Sequence, residues 1–181
     1  MRPALELTSV PIWATTVTRP AADLSGRFWT VIAVGDAGAQ VARLWTAEIA
    51  ATGGESRLRV HTVPDDDAVD PASAALRTAL ADARVGWRLM IAGPAAWCLK
   101  LRAEATAAGV ADDEMAVATT DVGMRSVRCA HCRAVTTAAV ELEDTVVCGG
   151  CSRNLLVYYH VSRRQGDHLG FMVDAEAQVR S

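Results

Sequence analysis

Two patterns in the chain predict its fold class. Between Thr30 and Asp121, short apolar runs alternate with stretches of helical periodicity, an order that gives a parallel sheet covered by helices through right-handed crossovers. Downstream, four of the five cysteines form two pairs, Cys129 with Cys132 and Cys148 with Cys151, in the spacing Cys-x2-Cys-x15-Cys-x2-Cys. In a segment too short to bury a large core, that spacing predicts a small β domain stapled by a metal. The predicted class is therefore α/β: a small Rossmann-like parallel sheet over 30–121, then a small metal-binding β zinc-ribbon domain over 122–181. Residues 1–29 read as an extended N-terminal arm.

The elements follow in order. Prolines at 3, 11 and 20 fix φ and remove amide donors, which suits an extended arm. Ile12, Trp13, Phe28 and Trp29 are its candidates for packing onto a surface. "TVIAV", from Thr30, is apolar and rich in β-branched residues, as a buried strand requires. "GDAG" breaks it. "AQVARLWTAEIAATGG" places Val41, Ala42, Leu44, Trp45 and Ile49 on one helical stripe, with Gly53 and Gly54 as the stop. "SRLRVHTV" alternates as a second strand. "PDDDAVDPASAALRTALADARVG" opens with Asp70 as N-cap before Pro71 and predicts a helix to about Arg84. "WRLMIAG" is a third strand, "PAAWCLKLRAEATAAGV" a helix from Pro94 to Gly109, and "DEMAVATT" a fourth strand. In the tail, "RAVTTAAVELEDTVV" reads as a β-hairpin turning at Glu143-Asp144, and "NLLVYYHVS" as the ribbon's third strand.

Composition narrows the function classes. With 51% hydrophobic and 22% charged residues, the chain is an ordinary globular protein. A formal charge of −3 gives no bulk attraction for nucleic acid or an anionic membrane. Up to Asp121 there are 11 basic and 15 acidic residues, and beyond it 7 and 6, so the tail is no polycation either. No run of eighteen apolar residues and no signal-peptide core occur, which points to a cytoplasmic protein. In that compartment thiols stay reduced, and metal binding outranks disulfide formation as the use of the two pairs.

Two cysteines separated by two residues can turn both sulfurs toward one point, and two such knuckles supply a tetrahedral sulfur set. Gly149 and Gly150 permit the positive φ that a knuckle often needs. Zinc fits that set. A rubredoxin-like iron fits it as well, and a redox dithiol pair is the third use. His131, inside the first knuckle, reads as an exposed residue rather than a substitute ligand. Cys98, mid-helix between Trp97 and Leu101, reads as a buried structural thiol rather than a nucleophile.

Two further regions are candidates for binding. "VGDAG" and "AGP" follow the first and third strands, where phosphates sit in such sheets. Gly35, Gly38, Gly93 and Pro94 are therefore candidate cofactor-binding residues, although neither turn is a full G-x-G-x-x-G and Asp36 brings an opposing carboxylate. In the tail, His160, Ser162, Arg163 and Arg164 form a polar stretch, with His168 beyond it. Adjacent arginines and histidines of this kind can grip a carboxylate, a phosphate or an acidic partner face, or simply form a solvated hairpin. No base–nucleophile pair is evident, so no catalytic residue is assigned.

Two resemblances sharpen this reading. "LMIAGPAAWCLKLRAEATAAGVADDEMAV" resembles the last strand–helix–strand of the ferredoxin-reductase NAD(P)-binding module, with Ala92 where that module has a cysteine. The two cysteine pairs followed by "YYHVSRRQGDHLGF" resemble the carboxyl-terminal part of the DmmA-type subunit of bacterial dimethylamine monooxygenase. His160, Ser162, Arg163, Arg164, Leu169, Gly170 and Phe171 carry the match. This resemblance implies a subunit of an oxidoreductase complex that uses NAD(P)H and oxygen to demethylate dimethylamine to methylamine and formaldehyde. It implies flavin, iron–sulfur and haem groups on partner subunits: a flavin and iron–sulfur reductase subunit and a haem-type demethylase subunit. The chain itself would serve assembly or electron transfer, with the polar tail stretch docking a partner. The rival readings are a zinc-ribbon regulatory module that binds nucleic acid or protein, and a free-standing reductase.

Overall fold

Phe28–Val34 form the first strand, β1, buried at every position but its first, and this double-sided burial is why its sequence is continuously apolar rather than alternating. The structure is a computed structural model that describes residues 4–65 and 69–173. β1 is joined by β2 (Leu58–Val63), β3 (Trp87–Gly93) and β4 (Met115–Thr119) in an all-parallel sheet of order β2-β1-β3-β4. Helix α1 (Gly35–Ala51) lies on one face, with Val41, Ala42, Trp45 and Ile49 over Val31, Ala33, Met90 and Ala92. Helices α2 (Val69–Ala81) and α3 (Ala95–Ala107) cover the other, with Leu76, Leu101 and Ala105 over Ile32, Leu89 and Ile91. Each large aliphatic side chain buried this way contributes about 1.5–3 kcal/mol.

The α/β expectation thus holds, with local corrections. Phe28 and Trp29 belong to β1 rather than to the arm, and Trp29 is only 3% exposed. "GDAG" ends the strand as expected but is already the first turn of α1, which starts on Gly35 directly at the strand end. Leu44 is 63% exposed and stands off the buried stripe, since the face toward the sheet is already filled by Val41, Trp45 and Ile49. Helix α2 stops at Ala81, short of Arg84. The predicted cap at Asp70 falls outside the residues whose side chains are described. Among the described residues, no helix is long and apolar enough to cross a membrane.

The arm packs on its own chain. Val10 and Ala14 are buried beside Leu99 and Val161, and Trp13 packs against the same cluster. The Ser9 hydroxyl accepts from the Val161 amide at 3.0 Å, and the Thr119 amide donates to the Thr18 carbonyl at 2.9 Å. Trp45 and Trp29 donate their indole N–H groups to the carbonyls of Pro20 and Asp23. Trp13, Phe28 and Trp29 are therefore spent on intramolecular packing, not displayed for a partner.

The tail forms a second, mixed sheet. Its strands are β5 (Met124–Cys129), β6 (Val135–Ala139), β7 (Thr145–Val147), β8 (Asn154–Val161) and β9 (His168–Met172), in the order β6-β5-β9-β8-β7. β5 and β9 are parallel and every other pair is antiparallel. The predicted hairpin between the cysteine pairs does not form. β6 and β7 lie at opposite edges of the sheet, because each cysteine pair is itself the turn of a hairpin, β5–β6 and β7–β8, and β9 fills the gap between them. The chain does turn sharply at Glu143 (φ +74°) and Asp144, whose carboxylate accepts from the Glu141 amide at 2.8 Å.

Candidate metal centre and the signature loop

The two cysteine turns are built alike. In the first, the Cys129 amide donates to the Ala134 carbonyl at 2.9 Å and the Arg133 amide to the Cys129 carbonyl at 3.0 Å. In the second, the Cys148 amide donates to the Arg153 carbonyl at 2.8 Å and the Ser152 amide to the Cys148 carbonyl at 2.9 Å. Backbone amides then point at sulfur: Cys132 N–H at the Cys129 thiol (3.5 Å) and Gly150 N–H at the Cys148 thiol (3.4 Å). The left-handed residues are Arg133 (φ +65°) and Ser152 (φ +57°), one position beyond each pair, not Gly149 or Gly150 as the sequence suggested. Gly150 is small for another reason. A Cβ there would sit 2.5 Å from the Cβ of Ala134 and 3.2 Å from the Cys132 sulfur, so the two turns meet at that glycine.

All four sulfurs lie within 4.8 Å of one another. Cys129 and Cys151 are 3.8 Å apart, and Cys132 and Cys148 are 3.5 Å apart. Sulfurs bound at about 2.3 Å to one tetrahedral ion lie about 3.8 Å apart, whereas a disulfide requires about 2.05 Å. The spacing is that of metal ligands. The electrostatics agree. The Gly150 amide, above all, pulls the Cys148 thiol down to about 6. At Cys132 the Ala134 backbone bond pulls downward, but burial and the three neighbouring sulfurs outweigh it and push the thiol up to about 12. Four thiolates cannot share this volume without a cation to neutralise them. The four ligands would close the coordination sphere, which is the pattern of a structural site rather than a catalytic one. Val127, Leu155 and Val157 seal it from the sheet side.

His131 is exposed and outside the cluster. Cys98 is wholly buried in α3, close to the carbonyls of Gly93 and Ala118, and burial pushes its thiol up, as suits an inert core residue.

The polar stretch does not converge on one point. His160 and Arg164 are exposed, and the Arg163 guanidinium lies 3.9 Å from Asp112. Ser162 shapes the loop through its backbone: its carbonyl accepts from Gly166 at 2.8 Å and its amide donates to the Asp167 carbonyl at 2.9 Å. The residues that matter to the packing come next, and of these only His168 stood out in the sequence; Gly166 and Asp167 did not. Gly166 (φ +70°) lies so close to α3 that a Cβ would stand 2.5 Å from the Leu99 carbonyl oxygen. Asp167 is 0% exposed and takes Arg128 through Nε (3.0 Å) and Nη2 (2.5 Å), with Lys100 of α3 at 3.7 Å. Arg128 also donates to the Arg133 carbonyl at 3.0 Å, so one ionic chain runs from α3 through Asp167 to the first cysteine turn. His168, 1% exposed, is pushed down to about 4 by burial and by the neighbouring Arg125 charge. Arg125 is itself buried and donates to the Val140 carbonyl and to Glu141. The legible signal for Asp167 was an acid and a glycine set together just before an apolar strand.

Gly35 and the Gly93-Pro94 turn sit where the strand order reverses, between β1 and β3. Gly35 (φ +71°) has the Asp65 carboxylate 3.1 Å from where its Cβ would be. Gly38 packs on β3, where a Cβ would meet the Ala92 carbonyl at 2.7 Å. The first amide of α3, on Ala95, is already taken by the Asp121 carbonyl at 2.7 Å.

Comparison with known proteins bears on this geometry. The family described as dimethylamine monooxygenase subunit DmmA-like, C-terminal domain, matches residues 126–171, a stretch that runs from β5 to the end of the "LGF" in β9 and so encloses both cysteine turns and the Asp167 loop. A curated relative from Ectopseudomonas mendocina (strain ymp), named heme-dependent oxidative N-demethylase delta subunit, is 36% identical over 128 residues, covering 71% of this chain and 72% of the relative. The chain belongs to the DmmA-like family. No solved structure matches it. The family's matched segment coincides with the second sheet and contains all four clustered cysteines.

Proposed function

We propose that this DmmA-like chain is a non-catalytic subunit of a heme-dependent oxidative N-demethylase of the dimethylamine monooxygenase type, held in shape by a zinc ion on Cys129, Cys132, Cys148 and Cys151. The observation that carries the proposal is the closed four-sulfur site inside the segment matched by the family. A bound zinc ion supplies a tetrahedral cross-link and no open position for chemistry. NAD(P)H- and oxygen-dependent conversion of dimethylamine to methylamine and formaldehyde would then run on partner subunits carrying flavin, iron–sulfur and haem groups. His160, Arg163 and Arg164, which project from the second sheet and its loop, are the residues available to dock them.

The first sheet is proposed as a remnant of a ferredoxin-reductase-like nucleotide module, and the second as a zinc-ribbon derivative, with the division falling near 121–122. At the crevice of Gly35, Gly38, Gly93 and Pro94, Asp65 stands over Gly35 and the Asp121 carbonyl uses the Ala95 amide, so this crevice supports packing better than pyrophosphate binding. Elemental analysis with a visible spectrum of the purified chain tests the reading. One zinc per chain and no colour is the expected result. A reddish protein containing one iron would instead make the chain an electron carrier.

A further inference from the structure

We propose a second site, for a small multiply charged oxyanion of the di- or polyphosphate class, at the amino-terminal edge of the parallel sheet. The inference does not depend on the N-demethylase assignment. Helix α2 and its cluster cover the carboxyl half of the sheet face, over Val63, Ile32 and Leu89. Beyond that, Phe28 and Thr30 of β1, Arg59 and His61 of β2, and Trp87 of β3 line a cavity of about 540 Å³ together with Arg57 and Arg84. That volume falls within the range of small-molecule sites, roughly 300–1,000 Å³.

The charge there is opposite to that of the chain. Three arginines, Arg57, Arg59 and Arg84, line the cavity with one acidic residue, Asp82, in a protein of net charge −3. Among the described residues, none of the three arginines forms an ion pair with a carboxylate. Arg57 lies over the Trp29 ring at 5.7 Å and Arg84 over the Phe28 ring at 5.9 Å. These cation–π contacts engage no N–H group, so the guanidinium donors remain free to fork onto oxyanion oxygens. Trp29 is only 3% exposed, and the Trp87 indole N–H is already given to the Thr30 hydroxyl at 2.9 Å. The cavity therefore offers charge rather than an aromatic slot, which selects for phosphate groups and against recognition of a base.

Protection of the exposed edge strand β2 accounts for Arg59 alone. It does not account for Arg57, in the turn before β2, or for Arg84, between α2 and β3. The carboxyl-terminal edge, where such sheets ordinarily hold phosphates, instead carries Asp36, Asp65 and Asp121. Basic and acidic edges are thus exchanged relative to a nucleotide-binding sheet.

The test is isothermal titration of the full chain with inorganic pyrophosphate at constant ionic strength, with arginine Nε–H shifts followed by NMR. Saturable one-to-one binding is expected, with the Arg57 and Arg84 signals moving. Arg57→Ala and Arg59→Ala should each weaken binding about tenfold without altering the melting temperature, and Arg164→Ala should leave it unchanged. Binding that does not saturate, or that falls equally in all three variants, overturns the proposal. So does a result in which only an Asp/Glu-rich peptide binds and pyrophosphate does not.

Discussion

Replacing Cys148 by Ser tests how far the second sheet depends on the proposed metal. Cys148 lies 3.5 Å from Cys132 and receives the Gly150 amide, so its loss removes one ligand and the anchor of the second turn. The core under the site holds only three fully buried aliphatic side chains, Val127, Leu155 and Val157, together with buried Cys129 and Cys148, whereas the cluster between the parallel sheet and α2 and α3 is more than twice as large. At about 1.5–3 kcal/mol each, those aliphatics cannot order a sheet of this size. A structural zinc contributes roughly 10–16 kcal/mol of apparent binding free energy at neutral pH, far more than the few kcal/mol of net stability such a segment has. Cys148→Ser (C148S) should therefore release the metal and unfold β5–β9. By hydrogen exchange, amide protection in those strands should fall by at least about a thousandfold, which corresponds to about 4 kcal/mol. β1 and β3 should keep theirs, since their core lies elsewhere. Full protection of β5–β9 in metal-free C148S would refute the reasoning, because packing would then suffice.

Other consequences follow from the signature loop. Asp167→Asn should leave Arg128 and Lys100 without their carboxylate and lower stability by about 3 kcal/mol in urea denaturation, with the metal retained. Gly166→Ala forces both a left-handed alanine and a clash with the Leu99 carbonyl; limited proteolysis should show the second sheet loosened from α3, at a cost of about 2 kcal/mol or more. His168 is held neutral at about 4 while an unfolded histidine titrates near 6.5, so between those values the unfolded chain binds the extra proton. Stability is then lost as pH falls from about 6.5 to about 4, by about 3 kcal/mol in total. His168→Asn should abolish that component in urea titrations across this window, and its difference from the parent separates it from the thiolates' own acid response.

What the amino-acid order determined unaided was whatever is written in local period and spacing. The parallel sheet was legible because strands buried on both faces must be continuously apolar, and "TVIAV" and "WRLMIAG" are. The four-cysteine cluster was legible because Cys-x2-Cys geometry is set by four consecutive residues, whatever surrounds them. Pairing in the second sheet was not legible. Nothing local in "RAVTTAAVELEDTVV" distinguishes one hairpin from the two edge strands of different hairpins, and only the insertion of β9 between β5 and β8 decides it. The same holds for Asp167. As a sequence letter it is an ordinary loop acid. Its role arises because Gly166 lets the loop approach α3 and closes Arg128 and Lys100 around a carboxylate shut off from water. The cavity of three arginines likewise gathers residues from a turn, a strand and a loop that are neighbours only once α2 has crossed the sheet. Period and spacing travel along the chain, while charge pairing and cavity shape depend on contacts between segments far apart in it.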